Sequence, residues 1–280
     1  MVKIFLLFLF LVSSLFSNEM ISSDDTNLTL KIKSFIDEQE FQKNKDFIKL
    51  IFSPESNFYT QDRIDIVKVA QTLKENGLLN LFFKEPQELR LSFKTTGSPL
   101  FFVKIMGDTL RNIGYYRYVT VESNLDASAF TWTISLSSEH ATDPLLLQKE
   151  LQKSACGIID IKRNSSNNWE YAIDSSNGQL NVVSLVDTQD IKLKRSLYAH
   201  WINVSKIQNL KISSSYRDSW YPKISYYNKQ LNLLKVIEKD DKTKVINLQI
   251  PKCAKYIKIS DIYTLKNVRD NLVLTPSGSR

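Results

Sequence analysis

Along the first two thirds of the chain, the spacing of apolar residues switches between helical and strand periods in a recurring order. Residues 60–77, TQDRIDIVKVAQTLKENG, carry Ile64, Val67 and Leu73 on one helical face. Thr60 stands where an N-cap belongs, and Gly77 where a left-handed C-terminal residue belongs. LLNLFF and ELRLSF follow and predict two strands; in the second, Leu89, Leu91 and Phe93 alternate with polar residues. The order then repeats. Ser98-Pro99 opens a second helix as N-cap and first helical residue, and Gly114 ends it. YYRYVTVES and AFTWTISLSS supply two strands, with Phe130, Trp132, Ile134 and Leu136 on one face of the second. Asp143-Pro144 opens a third helix, placed as ending at Gly157, and IIDIKR and WEYAID complete the unit around the turn NSSNN.

Three α-β-β units in series predict an α+β fold, with helices on one face of a mainly antiparallel sheet in a two-layer sandwich. LTLKIKSFI, from Leu28 to Ile36, reads as a further edge strand by its alternation. From residue 178 onward the helical period fades. Short alternating runs take over, among them QLNVVSLVD, PKISYYN and LNLLKVIEK, separated by turn signals at Asn228-Lys229 and 239–242. They predict an all-β, sandwich-like domain, with a hairpin around Asp240-Asp241 and at most one helical stretch near TLKNVRD. The expected division is a signal peptide over 1–17, an N-terminal tail and first strand over 18–59, an α/β domain over 60–176, a β-sandwich over 177–275 and a frayed tail over 276–280.

The N-terminal segment changes the picture by placing the chain. Lys3 precedes a continuous apolar run over 4–12, and Ser17 offers a small residue at a cleavage point. The run is shorter than the ~20 residues of a membrane span. An exported protein follows, with an uncleaved N-terminal anchor as the alternative. Heavy use of Lys, Ile, Asn and Ser points to an AT-rich bacterial genome, and so to the periplasm. With 42% apolar residues the chain can build a core. Its charge is uneven: residues 18–181 hold 18 basic and 22 acidic residues, a net −4, whereas residues 182–280 hold 18 basic and 8 acidic, a net +10. The basic half suits an acidic protein face or an anionic envelope glycan such as peptidoglycan, and export argues against nucleic acid.

Catalytic chemistry is poorly represented. Seven glycines form no phosphate-cradling motif, no G-x-S-x-G elbow occurs, and His140 and His200 stand alone. Two cysteines and two histidines, scattered along the chain, lack the spacing of a zinc site. No cofactor is expected, and the chain reads as non-enzymatic. Cys156 and Cys253 are either inert buried thiols or, in an oxidising compartment, a disulfide. Asn27 within DTNLT is the candidate glycosylation acceptor. That pentapeptide resembles the acidic-x-N-x-[ST] acceptor of bacterial N-glycosylation systems. Trp220, Tyr221 and Arg217 in YRDSWYPKISYYN are candidate ligand contacts, because aromatic faces beside donors stack on sugars and anchor protein partners. Gly107, inside the second helix, matches nothing in the other two units.

The α-β-β order over residues 60–174 resembles, in topology alone, the small periplasmic modules of envelope machines, such as the polypeptide-transport-associated domains of outer-membrane assembly factors. The resemblance implies partner binding by strand addition at a sheet edge, and it assigns no residue a role. The expectation is therefore an envelope interaction or scaffold protein, for instance a flagellar-motor or secretion accessory. The alternative is a glycan-binding module acting through the β-domain.

Overall fold

The computed structural model describes residues 26–280, and the predicted signal segment lies outside them. The chain is mixed α+β: helices pack on a five-stranded sheet, and two four-stranded antiparallel sheets follow. No helix among the described residues is long and apolar enough to cross a membrane.

Residues 28–36 are not an edge strand: Asn27–Lys33 form helix α1, capped by Thr26, whose hydroxyl accepts the Thr29 N–H. LTLKIKSFI satisfies both periods, but the buried positions are Leu28, Ile32, Phe35 and Ile36, which is helical spacing, while Leu30 is exposed. Helices α2 (Glu38–Lys43) and α3 (Lys45–Ile51) follow, burying Phe41 and Ile48. The stretch over 18–59 is thus part of the core from Leu28 on, not a tail. Thr60 is not an N-cap either. It belongs to a small hairpin, β1 (Tyr59–Thr60) and β2 (Arg63–Ile64), whose turn residues Gln61 and Asp62 both have positive φ. Helix α4 (Ile66–Glu75) is capped by Asp65 and stopped at Gly77, at φ +74.

LLNLFF and ELRLSF give one strand, β3 (Phe82–Thr95), so the first unit is one strand short. Its pairing slips between Phe82 and Gln87, around Pro86, which has no N–H to offer a ladder. The second and third units form as expected: α5 (Pro99–Asn112), β4 (Val119–Leu125) and β5 (Phe130–His140), then α6 (Pro144–Gln152), β6 (Gly157–Ser165) and β7 (Asn168–Asp174). Gly114 ends α5 at φ +102. Gly157, by contrast, opens β6 opposite Asp174; the left-handed residue that ends α6 is Ala155. Sheet order is β4-β5-β3-β7-β6, antiparallel except where β3 runs beside β7. One face buries a row of paired rings, Trp132, Phe93, Tyr171 and Trp169, with successive centroids 5.7–6.3 Å apart. Phe102, Ile105, Leu147 and Leu151 of α5 and α6 are buried in the same core.

The β-domain comprises β8 (Ile191–Lys194), β9 (His200–Asn203), β10 (Ile207–Ser214), β11 (Pro222–Tyr227), β12 (Leu233–Glu238), β13 (Val245–Gln249), β14 (Tyr256–Asp261) and β15 (Asn271–Ser279). The sheets are β13-β10-β15-β8 and β12-β11-β14-β9. The turn at Asn228-Lys229 is a true hairpin turn, with the Asn228 side chain accepting from the Gln230 and Asn232 N–H groups. Asp240-Asp241 is not: β12 and β13 lie in different sheets, and the chain crosses between them there. QLNVVSLVD contributes a lone bridge from Ser184 to Asn203. TLKNVRD yields one 3-10 turn, Leu265–Asn267. The expected frayed tail is strand, since β15 pairs with β10 as far as Ser279.

The two parts share a core. Leu231 and Tyr256 are buried in the first hydrophobic cluster, and the Tyr256 hydroxyl accepts the Leu180 N–H. At Gly178 an added Cβ would sit 2.9 Å from both the Phe101 ring and the Ser175 carbonyl, so side-chain-free backbone closes the junction.

Tyr226 is fully buried in the β-domain core, and its hydroxyl has no hydrogen-bond partner among the described residues. Burial pushes its phenol up to about 12. Because the raised pKa disfavours ionisation only in the folded state, stability should fall as pH rises from the ordinary tyrosine value near 10 toward 12. Tyr226→Phe should stabilise the protein by about 1 kcal/mol at neutral pH and flatten that alkaline decline. Urea titrations at pH 7 and 10.5 check both; a destabilised phenylalanine variant would show that the hydroxyl has a partner.

Candidate docking edge

The five-stranded sheet has two edges, and they are treated differently. β6 is covered. Lys31 of α1 reaches Asp160 at 2.6 Å, and the Arg163 guanidinium donates to the Phe35 carbonyl. β4 is open: all seven residues are exposed, and no strand among the described residues lies on its outer side. Natural edges are usually guarded by charge, cover or twist. The one charged residue in VTVESNL is Glu122, 3.9 Å from Arg90 of β3, which lies beyond β5 in the sheet. Val119 is 69% and Leu125 65% exposed. A slip in pairing between Thr120 and Glu122 leaves Val121 unpaired and breaks the alternation there. β12 is also exposed, but Lys235 and the Lys223–Glu238 pair guard it.

At the N-terminal end of β4, where β5 runs on past its partner, lies a recess of about 480 Å³. Its lining includes Gly107 and Arg111 from α5 and Tyr116, Arg117 and Tyr118 from the segment before β4. Tyr118 packs edge-on against Trp132, centroids 5.7 Å apart, and burial raises its phenol above the ordinary value. The Arg111 guanidinium lies 5.2 Å from the Tyr198 ring and 3.2 Å from Asp108. Lys104 also pairs with Asp108. Arg117 is exposed.

The residues singled out in the sequence lie elsewhere. Trp220, expected to contact a ligand, is a core residue: it is fully buried, and its indole N–H donates to the Ser260 carbonyl at 2.9 Å. Tyr221 is half-buried and packs edge-on against Tyr263. Arg217 is clamped by both Asp270 oxygens. The three are neighbours, but within a hydrogen-bonded end of the sandwich rather than around a cleft. Asn27 is exposed in the first turn of α1, where Thr29 of the same motif is bonded to the cap Thr26. Cys156 and Cys253 are free thiols, which corrects the possible pairing. Cys156 is buried beside Gly178, with its thiol pushed up to about 11 by burial, whereas Cys253 is exposed in the turn after β13. His140 ends β5 against Phe82, and His200 is half-buried in β9. No three His, Cys, Asp or Glu side chains converge among the described residues.

Fold and edge together define a two-part α+β protein whose five-stranded sheet has one covered and one open edge among the described residues. The sequence matches no protein-family model, and no curated protein or solved structure is significantly similar to it.

Proposed function

We propose that this chain is an exported, non-enzymatic interaction module of a cell-envelope complex, and that it takes an extended segment of a partner protein onto β4. The observation that supports this reading is the contrast between the two edges of one sheet: β6 is contacted by the N-terminal helical segment, and β4 is bare, with Val119, Val121 and Leu125 exposed. An added strand would gain backbone hydrogen bonds from β4, while Val119 and Leu125 present apolar area for alternate side chains.

The test is photocross-linking in cells. Benzoylphenylalanine at Val119 should give one discrete protein adduct, and the same group at Asn247, exposed on β13, should not. Val121→Lys with Leu125→Lys places on β4 the charges that natural edges use as protection, and should abolish the adduct without lowering stability by more than about 0.5 kcal/mol. An adduct that survives both lysines, or none at all from Val119, sinks the proposal.

A further inference from the structure

Gly107 sits in the interior of a 14-residue helix, where glycine is less favourable than alanine. Packing does not require it, because an added Cβ would meet only the Tyr118 hydroxyl, at 3.6 Å, an ordinary contact. What the missing side chain does is open the floor of the recess at the end of β4. The walls of that recess are positively charged. Its charged lining is Arg111 and Arg117; Asp108, which pairs with Arg111, lies outside the lining and is shared with Lys104. The phenol rings of Tyr116 and Tyr118 stand beside the two arginines.

We infer that the segment received by β4 is acidic, and that one of its side-chain carboxylates enters the recess over Gly107, held by Arg117 and Arg111. This inference rests on the reading of β4 as a docking edge. The charge complement comes from the net positive recess, and the depth from the glycine. Arginine suits the task because its planar fork donates two parallel hydrogen bonds to a carboxylate.

The experiment uses acetylated, amidated nine-residue peptides of alternating Val and Thr that carry a central Glu, Gln or Lys, titrated by fluorescence anisotropy against residues 18–280. The Glu peptide should bind about tenfold tighter than its Gln isostere, and the Lys peptide weakest. Arg117→Glu should reverse the order of Glu and Lys, and 0.5 M salt should remove most of the preference. Gly107→Leu should remove the Glu preference by filling the recess, while Gly107→Ala should raise the Tm by about 2–4 °C. Equal binding of the Glu and Gln peptides, or of neither at millimolar concentration, overturns the inference. So does a lowered Tm for Gly107→Ala, which would make the glycine a packing requirement. If Glu and Gln bind equally and Val121→Lys/Leu125→Lys abolishes both, the acidic preference falls while the docking edge stands. If the lysines change nothing, the edge itself falls.

Discussion

Trp220→Ala is expected to destabilise the protein by about 3–5 kcal/mol, the range for deleting a buried tryptophan side chain. The ring is fully enclosed in the core between the two sheets of the β-domain. Around it the chain is held at both ends: the Trp220 carbonyl accepts the Thr243 N–H at 2.9 Å, and the Tyr221 N–H donates to Asp261 at 2.9 Å. The deletion therefore leaves a cavity that the backbone is not free to close. The Ser260 carbonyl also loses the indole donor. Neighbouring substitutions should be far milder. Arg217→Ala removes an ion pair whose arginine is 60% exposed, and pairs of that kind contribute about 0–1 kcal/mol. Tyr221→Ala should lie between the two. Urea titrations of the three variants check the ranking. A loss below 1 kcal/mol at Trp220 would mean that the ring is not core, and would revive it as a contact residue.

That ranking runs against the reading of YRDSWYPKISYYN as one binding cluster, and the reason is physical. Aromatic residues on adjacent strand positions point to opposite faces, and composition does not say which face is covered. In β11, Tyr226 points into the sandwich core, while Tyr227 meets Trp201 at 4.9 Å on the other face, toward the α/β part. Both faces of β11 are covered, one of them only because a second domain lies against it. No local pattern announces that.

Where the chemistry is local, the sequence was legible. Ser98-Pro99 and Asp143-Pro144 start helices, and Gly77 and Gly114 stop them, because cap geometry is decided within a few residues. Gly157 misled because Ala155 accepts a left-handed conformation without glycine's freedom, a strain that tertiary packing sustains. LTLKIKSFI fits both periods, and the choice between them rests on Phe35 meeting Trp169, 134 positions away, at 6.2 Å. The single strand β3 and its parallel pairing with β7 are non-local for the same reason. The candidate edge was the least legible element. VTVES reads as a half-buried strand, and its exposure arises from its position at the sheet margin and the slip at Val121.

The second large effect is expected at Asp218, which no sequence motif marks. Its side chain is buried and accepts three backbone donors: the N–H groups of Arg269 at 2.7 Å, Asp270 at 3.0 Å and Ser215 at 2.9 Å. It thereby ties the loop over 215–219 to the chain entering β15. Lys244 closes the arrangement, donating to the carbonyls of Ser215, Tyr216 and Asp218 at 2.6–2.9 Å. Asp218→Ala strips three donors of their acceptor at once and should cost about 3 kcal/mol or more, since each buried group left unpaired contributes roughly 1–3 kcal/mol. Asp218→Asn keeps Oδ1 for Arg269 and Asp270 but turns an amide N–H₂ toward the Ser215 N–H, so its loss should be about half as large. Hydrogen exchange separates a local from a global effect. In the alanine variant the amides of Arg269 and Asp270 should lose protection together with Ser215, while those of β3 and β5, in the other domain, keep theirs relative to the new global stability. Equal losses for alanine and asparagine would sink this account, because the carboxylate's charge, and not its pattern of acceptors, would then be what holds the loop.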